Sequence, residues 1–295
     1  MILLTGATGT VGSAVLRRLT AAGGQVRCLV RDPRRLGPER VRVQIALGDL
    51  ADPSSFRHAL RGVQTVIHLA GGIRDQPRGS IEELNAVATL RLVNAAERAG
   101  SERFLFFSAM GASPHSRPRF FRAKALAERA VEGAAIDSTV VSPSIIYSPG
   151  DPWLRLLERM SYLPAMPISG SGRAAFQPIW AEDVADSVIA LLERPGVDRV
   201  ELAGPEVLSY DRIVELALRS FRRRRPLVHV PLPVVRAALR GGERLAELGG
   251  FPSAVFATWD EAELMEVPMT SPSGTAGAES LGVTPLRMSA VLGAG

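Results

Sequence analysis

The chain has 295 residues but only one cysteine, one lysine and three tyrosines. The single Cys28 excludes an internal disulfide, so a reducing, cytoplasmic location is expected. Cys28 lies in the apolar segment Val26-Arg27-Cys28-Leu29-Val30 and reads as core filler, not as a nucleophile. The four histidines, His58, His68, His115 and His229, have no ligand-like spacing, and no metal is expected. No run of eighteen apolar residues occurs, which excludes a membrane-spanning helix. The chain opens directly on a strand-like apolar run, so no signal peptide is expected.

Arginine supplies the positive charge that lysine does not: 34 arginines bring the net charge to +5. They are spread along the chain, and nucleic acid is not the expected partner. The exception is Arg222-Arg223-Arg224-Arg225. It reads as the cationic end of a helix that begins near Ser209. Peripheral contact with an acidic membrane surface is the sharper alternative.

The most informative stretch is the first one. Met1-Ile2-Leu3-Leu4 reads as a buried strand, Thr5-Gly6-Ala7-Thr8-Gly9-Thr10-Val11-Gly12 follows at once, and residues 13–19 have helical periodicity. Strand, glycine-rich turn and helix together hold a dinucleotide pyrophosphate. Gly6 permits the sharp turn, Gly9 the approach of backbone to phosphate, and Gly12 the packing of helix on strand. The helix N-terminus then offers free N–H groups and a positive dipole end to the anion. A tight turn in a parallel sheet with no ligand is the plainer alternative.

The first half of the chain alternates strand and helix. Strands are expected at residues 25–30, 41–47, 63–69, 103–108 and 137–142. Helices are expected at 52–60, at 80–99 from the capping box Ser80-Ile81-Glu82-Glu83, and at 119–132. This predicts an α/β fold, a Rossmann doubly wound parallel sheet of order 3-2-1-4-5-6. The expected division is a nucleotide-binding domain over 1–148 and a smaller mixed C-terminal cap over 149–295, interleaved with the same globule and forming the substrate side. In the second part, helices are expected at 181–193, 210–221 and 233–248, a short strand at 227–230, and a Pro/Ser/Gly-rich loop at 269–278.

Several segments together resemble the short-chain dehydrogenase/reductase superfamily in its extended and atypical branches. The glycine motif is one. Gly48-Asp49-Leu50 after the third strand resembles the family's adenine-contacting segment. His68-Leu69-Ala70-Gly71 resembles its fourth-strand end, and Ser142-Pro143-Ser144-Ile145-Ile146-Tyr147 its loop beside the nicotinamide. Gln177 to Ala185 and Leu202 to Tyr210 resemble later segments. The nearest flavour is the group of NmrA-like proteins and the NDUFA-nine-like accessory subunit of respiratory complex I. The resemblance implies cofactor contacts from Thr5, Gly6, Thr8, Gly9, Thr10, Val11, Gly12, Asp49, Leu50, Ala70, Gly71, Pro143 and Ile146.

The family's active site needs a Tyr and a Lys four residues apart on one helix face. Here Phe120-Phe121-Arg122-Ala123-Lys124 occupies that place. The lysine is present, but Phe120 has no proton to offer. Ser108 ends the fifth strand, but Ala109 and Met110 follow where a helper hydroxyl usually lies. Lys124 is the only lysine in a chain with 35 basic residues, so its position at the motif's lysine is informative. A compact ammonium can donate to two ribose hydroxyls, whereas a planar guanidinium is too wide for that corner. Tyr147 is the better candidate for a substitute acid. At the end of the second strand, Arg31 and Arg34 suit a 2′-phosphate and favour NADP(H). Asp32 keeps NAD(H) as the alternative.

These features predict an NADP(H)-binding, atypical protein that lacks the usual Tyr and acts as redox sensor, accessory or assembly factor. The alternative is an NAD(P)H-dependent oxidoreductase or isomerase with a non-standard proton donor. The partners to expect are a small-molecule or quinone-like substrate and another protein.

Overall fold

The computed structural model describes residues 1–77, 79–235 and 259–293. Its centre is a seven-stranded parallel sheet. The first six strands are β1 (Ile2–Thr5), β2 (Val26–Val30), β3 (Gln44–Leu47), β4 (Thr65–His68), β5 (Arg103–Phe107) and β6 (Asp137–Pro143). They lie in the order β3-β2-β1-β4-β5-β6, as expected for a doubly wound sheet. A seventh strand, Arg199–Leu202, pairs with β6 at the far edge. That strand was not expected: it is four residues long and has an exposed arginine and a half-buried glutamate.

Helices cover both faces. On one side lie α1 (Thr10–Ala21) and the later helix Ala181–Leu192, packed over Leu4, Val15, Leu16, Ile67 and Val188. On the other lie α2 (Pro53–Phe56), α3 (Ala88–Arg98) and α4 (Arg119–Glu132), packed over Leu3, Phe56, Leu92, Phe104 and Val131. Arg18 reaches from α1 to Glu182 at 2.5 Å and Asp186 at 2.5 Å. Arg103 donates to the carbonyls of Leu192 at 3.0 Å and Arg194 at 2.6 Å, satisfying the end of the same helix. Residues 181–202 therefore complete the nucleotide-side layer, although they come from the second half of the chain.

The other C-terminal elements build a second core beyond the carboxyl ends of the strands. Helices α5 (Pro152–Met160) and Tyr210–Ser220 bury Leu154, Leu157, Ile213, Val214 and Ala217 around Phe176 and Tyr147. Strand Leu227–Val230 forms where expected and pairs with Met166–Ser169.

Three local expectations need correction. The third strand starts at Gln44, because residues Pro33–Val41 form tight 3₁₀ turns broken at Gly37 (φ 61°). The helix opened by Ser80 widens to a π turn over Glu83–Val87 before α3. The loop of 269–278 gives way to a short helix at Ala276–Ser280. The expected helix at 233–248 lies outside the described residues from position 236 onward.

Candidate functional site

β1 ends at Thr5 and the chain turns at Gly6 with φ +73°. A Cβ there would stand 2.7 Å from the Ala70 nitrogen, so only glycine lets the β1 and β4 ends approach. A Cβ on Gly12 would lie 2.0 Å from the Gly6 carbonyl oxygen, so only glycine lets α1 sit this close to the turn. Gly9 caps α1 with no side-chain hydrogen bond to its first turn. The N-terminal N–H groups of α1 are thereby left to whatever fills the space in front of them.

That space is a cavity of about 250 Å³. Its walls include Thr5, Gly6, Thr8, Gly9, Arg31, Asp49, Leu50, Ala70 and Gly71, all expected cofactor contacts. Thr10, Val11 and Gly12 form the first turn of α1 behind the glycine loop. The lining also takes in Asp32, the residue that keeps NAD(H) as the alternative, and Arg35 beside it, together with Gln76 and Leu84, which nothing in the sequence marks. Arg34 is not among the lining residues; its backbone N–H instead donates to Asp32 Oδ1 at 3.0 Å. Arg31 Nη1 donates to Gln76 Oε1 at 3.3 Å, drawing the loop after β4 toward β2. The glycine cradle, the uncapped helix start and the cavity lined by the ends of β1, β2 and β3 fit the adenosine and diphosphate portion of a dinucleotide.

Behind the cavity, His68 is fully buried. Thr89 spends its hydroxyl proton on the Asn85 carbonyl at 2.5 Å. His68 Nε2 therefore carries the proton that Thr89 accepts at 3.0 Å, and Nδ1 accepts from the Thr5 hydroxyl at 2.7 Å. Burial, then the nearby Lys124 charge, pulls the His68 pKa down to about 3 and keeps the ring neutral. Asn85, on the π turn, donates to the carbonyls of Gly72 at 2.7 Å and Ile81 at 2.8 Å. A Cβ on Gly71 would meet Asn85 Oδ1 at 2.6 Å, so this pair brings the β4 loop against the helix. In the sequence, Asn85 is indistinguishable from an ordinary helix residue.

Lys124 is buried on α4, and a Cβ on Gly71 would come within 3.3 Å of its Nζ. Nζ donates to the Phe107 carbonyl at 2.6 Å and lies 4.9 Å from the Phe106 ring and 5.7 Å from the Phe120 ring. Burial lowers its pKa to about 8, against the opposing pull of Glu128. Ser108 is turned toward the same helix, where its hydroxyl donates to Glu128. Arg199 also holds Glu128, at 2.9 Å. Around Phe120 the surroundings are apolar: Met110 and Phe121 are buried, and Val267 is packed against them.

Tyr147 is not brought to the cavity. It is fully buried in the second core, next in register to Trp180, and its hydroxyl has no hydrogen-bond partner among the described residues. Burial, with Asp183 and Glu206 nearby, raises its pKa well above the usual phenol value. Pro143 and Ile146 also stand outside the lining. The Pro143 carbonyl accepts from Met110 N–H at 2.9 Å, and Ile146 pairs with Ile179.

The fold and this cradle define a nucleotide-binding protein of the Rossmann type. A family model described as NAD(P)H-binding matches residues 6–195, and the chain belongs to that family. It is 29% identical over 247 residues to subunit 9 of the NADH dehydrogenase [ubiquinone] 1 alpha subcomplex of Arabidopsis thaliana. That match covers 79% of this chain but only 60% of the plant protein. It is also 29% identical over 278 residues to a ceramide reductase of Caulobacter vibrioides, covering 92% and 86% of the two chains. Among solved structures, the NADPH-dependent quinone oxidoreductase of Escherichia coli, complexed with NADPH, superposes with a TM-score of 0.77 at 18% identity, over 99% of both chains. The expected fold and the expected kinship with the complex I accessory subunit are both borne out.

Proposed function

We propose that the chain holds NADP(H) without reducing simple carbonyls, and that it serves as a redox sensor, accessory subunit or assembly factor. The observation that carries this reading is the pairing of Lys124 with Phe120. A nicotinamide cofactor bound there would supply hydride chemistry. Lys124 would meet its ribose, Gly6 to Gly12 its diphosphate, and Asp49 its adenine. Protonation of a nascent alkoxide would find a phenyl ring at Phe120 and a Ser108 hydroxyl committed to Glu128. Arg31 and Arg35 on the cavity wall support NADP(H); Asp32, on the same wall, keeps NAD(H) as the alternative. One relative is itself a subunit of a larger NADH dehydrogenase, which supports a role beside a protein partner.

A second reading is favoured by the apolar surroundings of Phe120 together with the ceramide reductase relative. On it, the chain is an oxidoreductase or isomerase for a lipid- or quinone-like molecule, with the proton drawn from substrate or water. The experiment that separates the two is NADPH titration by fluorescence, followed by turnover against enones, quinones and long-chain ketones. Tight binding without consumption supports the first reading. Consumption with an apolar substrate moves the assignment to the second, and absence of binding overturns both.

A further inference from the structure

We propose that the surface formed by the loop after α5 and the arginine run after helix Tyr210–Ser220 docks on an anionic phospholipid bilayer. The arginine run does not sit on that helix as its cationic end. The helix stops at Ser220, and Arg222 follows in the left-handed region at φ 56°. This turn folds the run back over the end of α5. The Arg223 guanidinium stacks 3.4 Å from the centroid of the Tyr162 ring, and Arg223 Nη1 donates to Ser161 Oγ at 3.2 Å. Arg225 Nε donates to the carbonyls of Ser161 at 3.0 Å and Leu163 at 2.8 Å. Two of the four arginines are therefore structural and fix the loop. Arg222 and Arg224 are exposed, and no acid among the described residues lies within ion-pair distance of either.

The patch concentrates charge. Segments 152–166 and 219–230 hold seven arginines and one glutamate, more net positive charge than the whole chain's +5. The rest of the molecule is thus close to neutral. Next to Arg223 and Arg225 is an apolar tip: Tyr162 is 67% exposed, Leu163 48%, and Pro164 follows, also exposed. An exposed aromatic and an exposed aliphatic side chain held beside Arg223 and Arg225 match the interfacial zone of a bilayer. There the apolar tip enters the headgroup boundary and the guanidinium groups meet lipid phosphate. A nucleic acid would use the arginines but gain little from Leu163 and Pro164, and one face of Tyr162 is already covered by Arg223. Among the described residues no helix is long and apolar enough to cross a membrane, so the contact would be peripheral.

The proposal does not depend on the nucleotide reading, and its test does not involve the cofactor. The full chain is sedimented with phosphatidylcholine vesicles prepared with and without phosphatidylglycerol, at low and high salt. Binding is expected only to the anionic vesicles and should weaken with salt. The double variant Arg222→Asn, Arg224→Gln keeps a residue that tolerates positive φ at 222. It should lose about twenty- to thirty-fold in partitioning, at about five-fold per arginine near such a surface. Tyr162→Ser with Leu163→Ser should remove the binding that survives high salt. Unchanged thermal melts in both double variants exclude misfolding as the cause. Equal binding to neutral and anionic vesicles, binding to neither, or unchanged partitioning in the arginine variant overturns the proposal. So does displacement from vesicles by a short oligonucleotide that binds more tightly through the same arginines.

Discussion

Lys124 Nζ donates to the Phe107 carbonyl at 2.6 Å, joining the middle of α4 to the last residue of β5. The ammonium is therefore aimed before any ligand arrives, on a helix whose neighbouring turn carries Phe120. Lys124→Arg preserves charge but places a wider, planar group in a fully packed site. Loss of the aimed ammonium should cost NADPH binding about 1.5–3 kcal/mol, the range for hydrogen bonds to charged groups. Overpacking should lower stability by about 1–3 kcal/mol. Isothermal calorimetry and a thermal melt measure the two effects separately. Unchanged affinity would mean that the solitary lysine is incidental.

The same burial has a pH consequence. Lys124 has a pKa of about 8 in the folded protein, against an ordinary value of 10.5. Between those values the unfolded chain binds the proton and the folded one does not, so stability rises with pH across this window. Below pH 8 both states are charged and the folded state carries the full penalty of a buried ammonium. Above 10.5 the penalty is gone. Its size is on the order of 3 kcal/mol at one pKa unit per 1.36 kcal/mol. Urea unfolding of wild type and Lys124→Met at pH 7.5 and 10.5 should show wild type gaining on the variant at the higher pH. A constant difference would mean that the ammonium is solvated.

Arg31 and Arg35 stand on the cavity wall just beyond β2, whereas the Arg34 N–H serves the turn around Asp32. Arg31→Ala and Arg35→Ala should each weaken NADPH binding by about 1.5–3 kcal/mol and leave NADH nearly unchanged. Arg34→Ala should do neither. Equal losses for both cofactors would remove the 2′-phosphate assignment.

Gly12 is the tightest point of the cradle. A methyl group there would stand 2.0 Å from the Gly6 oxygen, a backbone atom that cannot rotate away. Gly12→Ala should therefore push α1 off the turn, with a cost of about 1–3 kcal/mol or more. A lowered melting temperature together with lost NADPH binding checks it.

The parts that were legible in the sequence follow from local chemistry. Glycines between an apolar strand and a periodic helix mark the cradle, and the capping box at Ser80 marks a helix start. That box is reciprocal in the structure: Ser80 N–H meets Glu83 Oε2 at 2.8 Å, and Glu83 N–H meets Ser80 Oγ at 3.2 Å. What was missed depends on contacts between distant residues. Gln76 matters because Arg31 reaches it across 45 positions, and Asn85 because it binds the Gly72 backbone. Tyr147 follows a strand end that faces the cleft region in sequence, yet packing against Phe176 and its neighbours turns it into the core. The seventh strand depends on β6 as a template, since Val200 and Leu202 alone are too short an apolar pattern to declare it.

Hydride transfer to a carbonyl leaves an alkoxide, which must gain a proton as it forms. A positioned general acid contributes about 10²–10⁴-fold to such a step. In this chain Phe120 has no hydroxyl, Ser108 is bonded to Glu128, Tyr147 is buried with no hydrogen-bond partner among the described residues, and Lys124 is tied to the Phe107 carbonyl. On the proposed reading, cofactor binding would use a different set of groups, the glycine turn and the Lys124 ammonium. Affinity and turnover should therefore come apart. Wild type should bind NADPH yet consume it negligibly with simple ketones and aldehydes. Phe120→Tyr places a phenol one helical turn from Lys124, and Met110→Ser adds a hydroxyl after β5. The double variant should gain carbonyl reduction by at least tenfold, within the span of a general acid, with NADPH affinity little changed. Absorbance at the nicotinamide band follows the reaction directly. Rapid wild-type turnover on the same substrates, with a pH profile set by another residue, would show that the proton comes from a group other than those at Phe120, Ser108 and Tyr147.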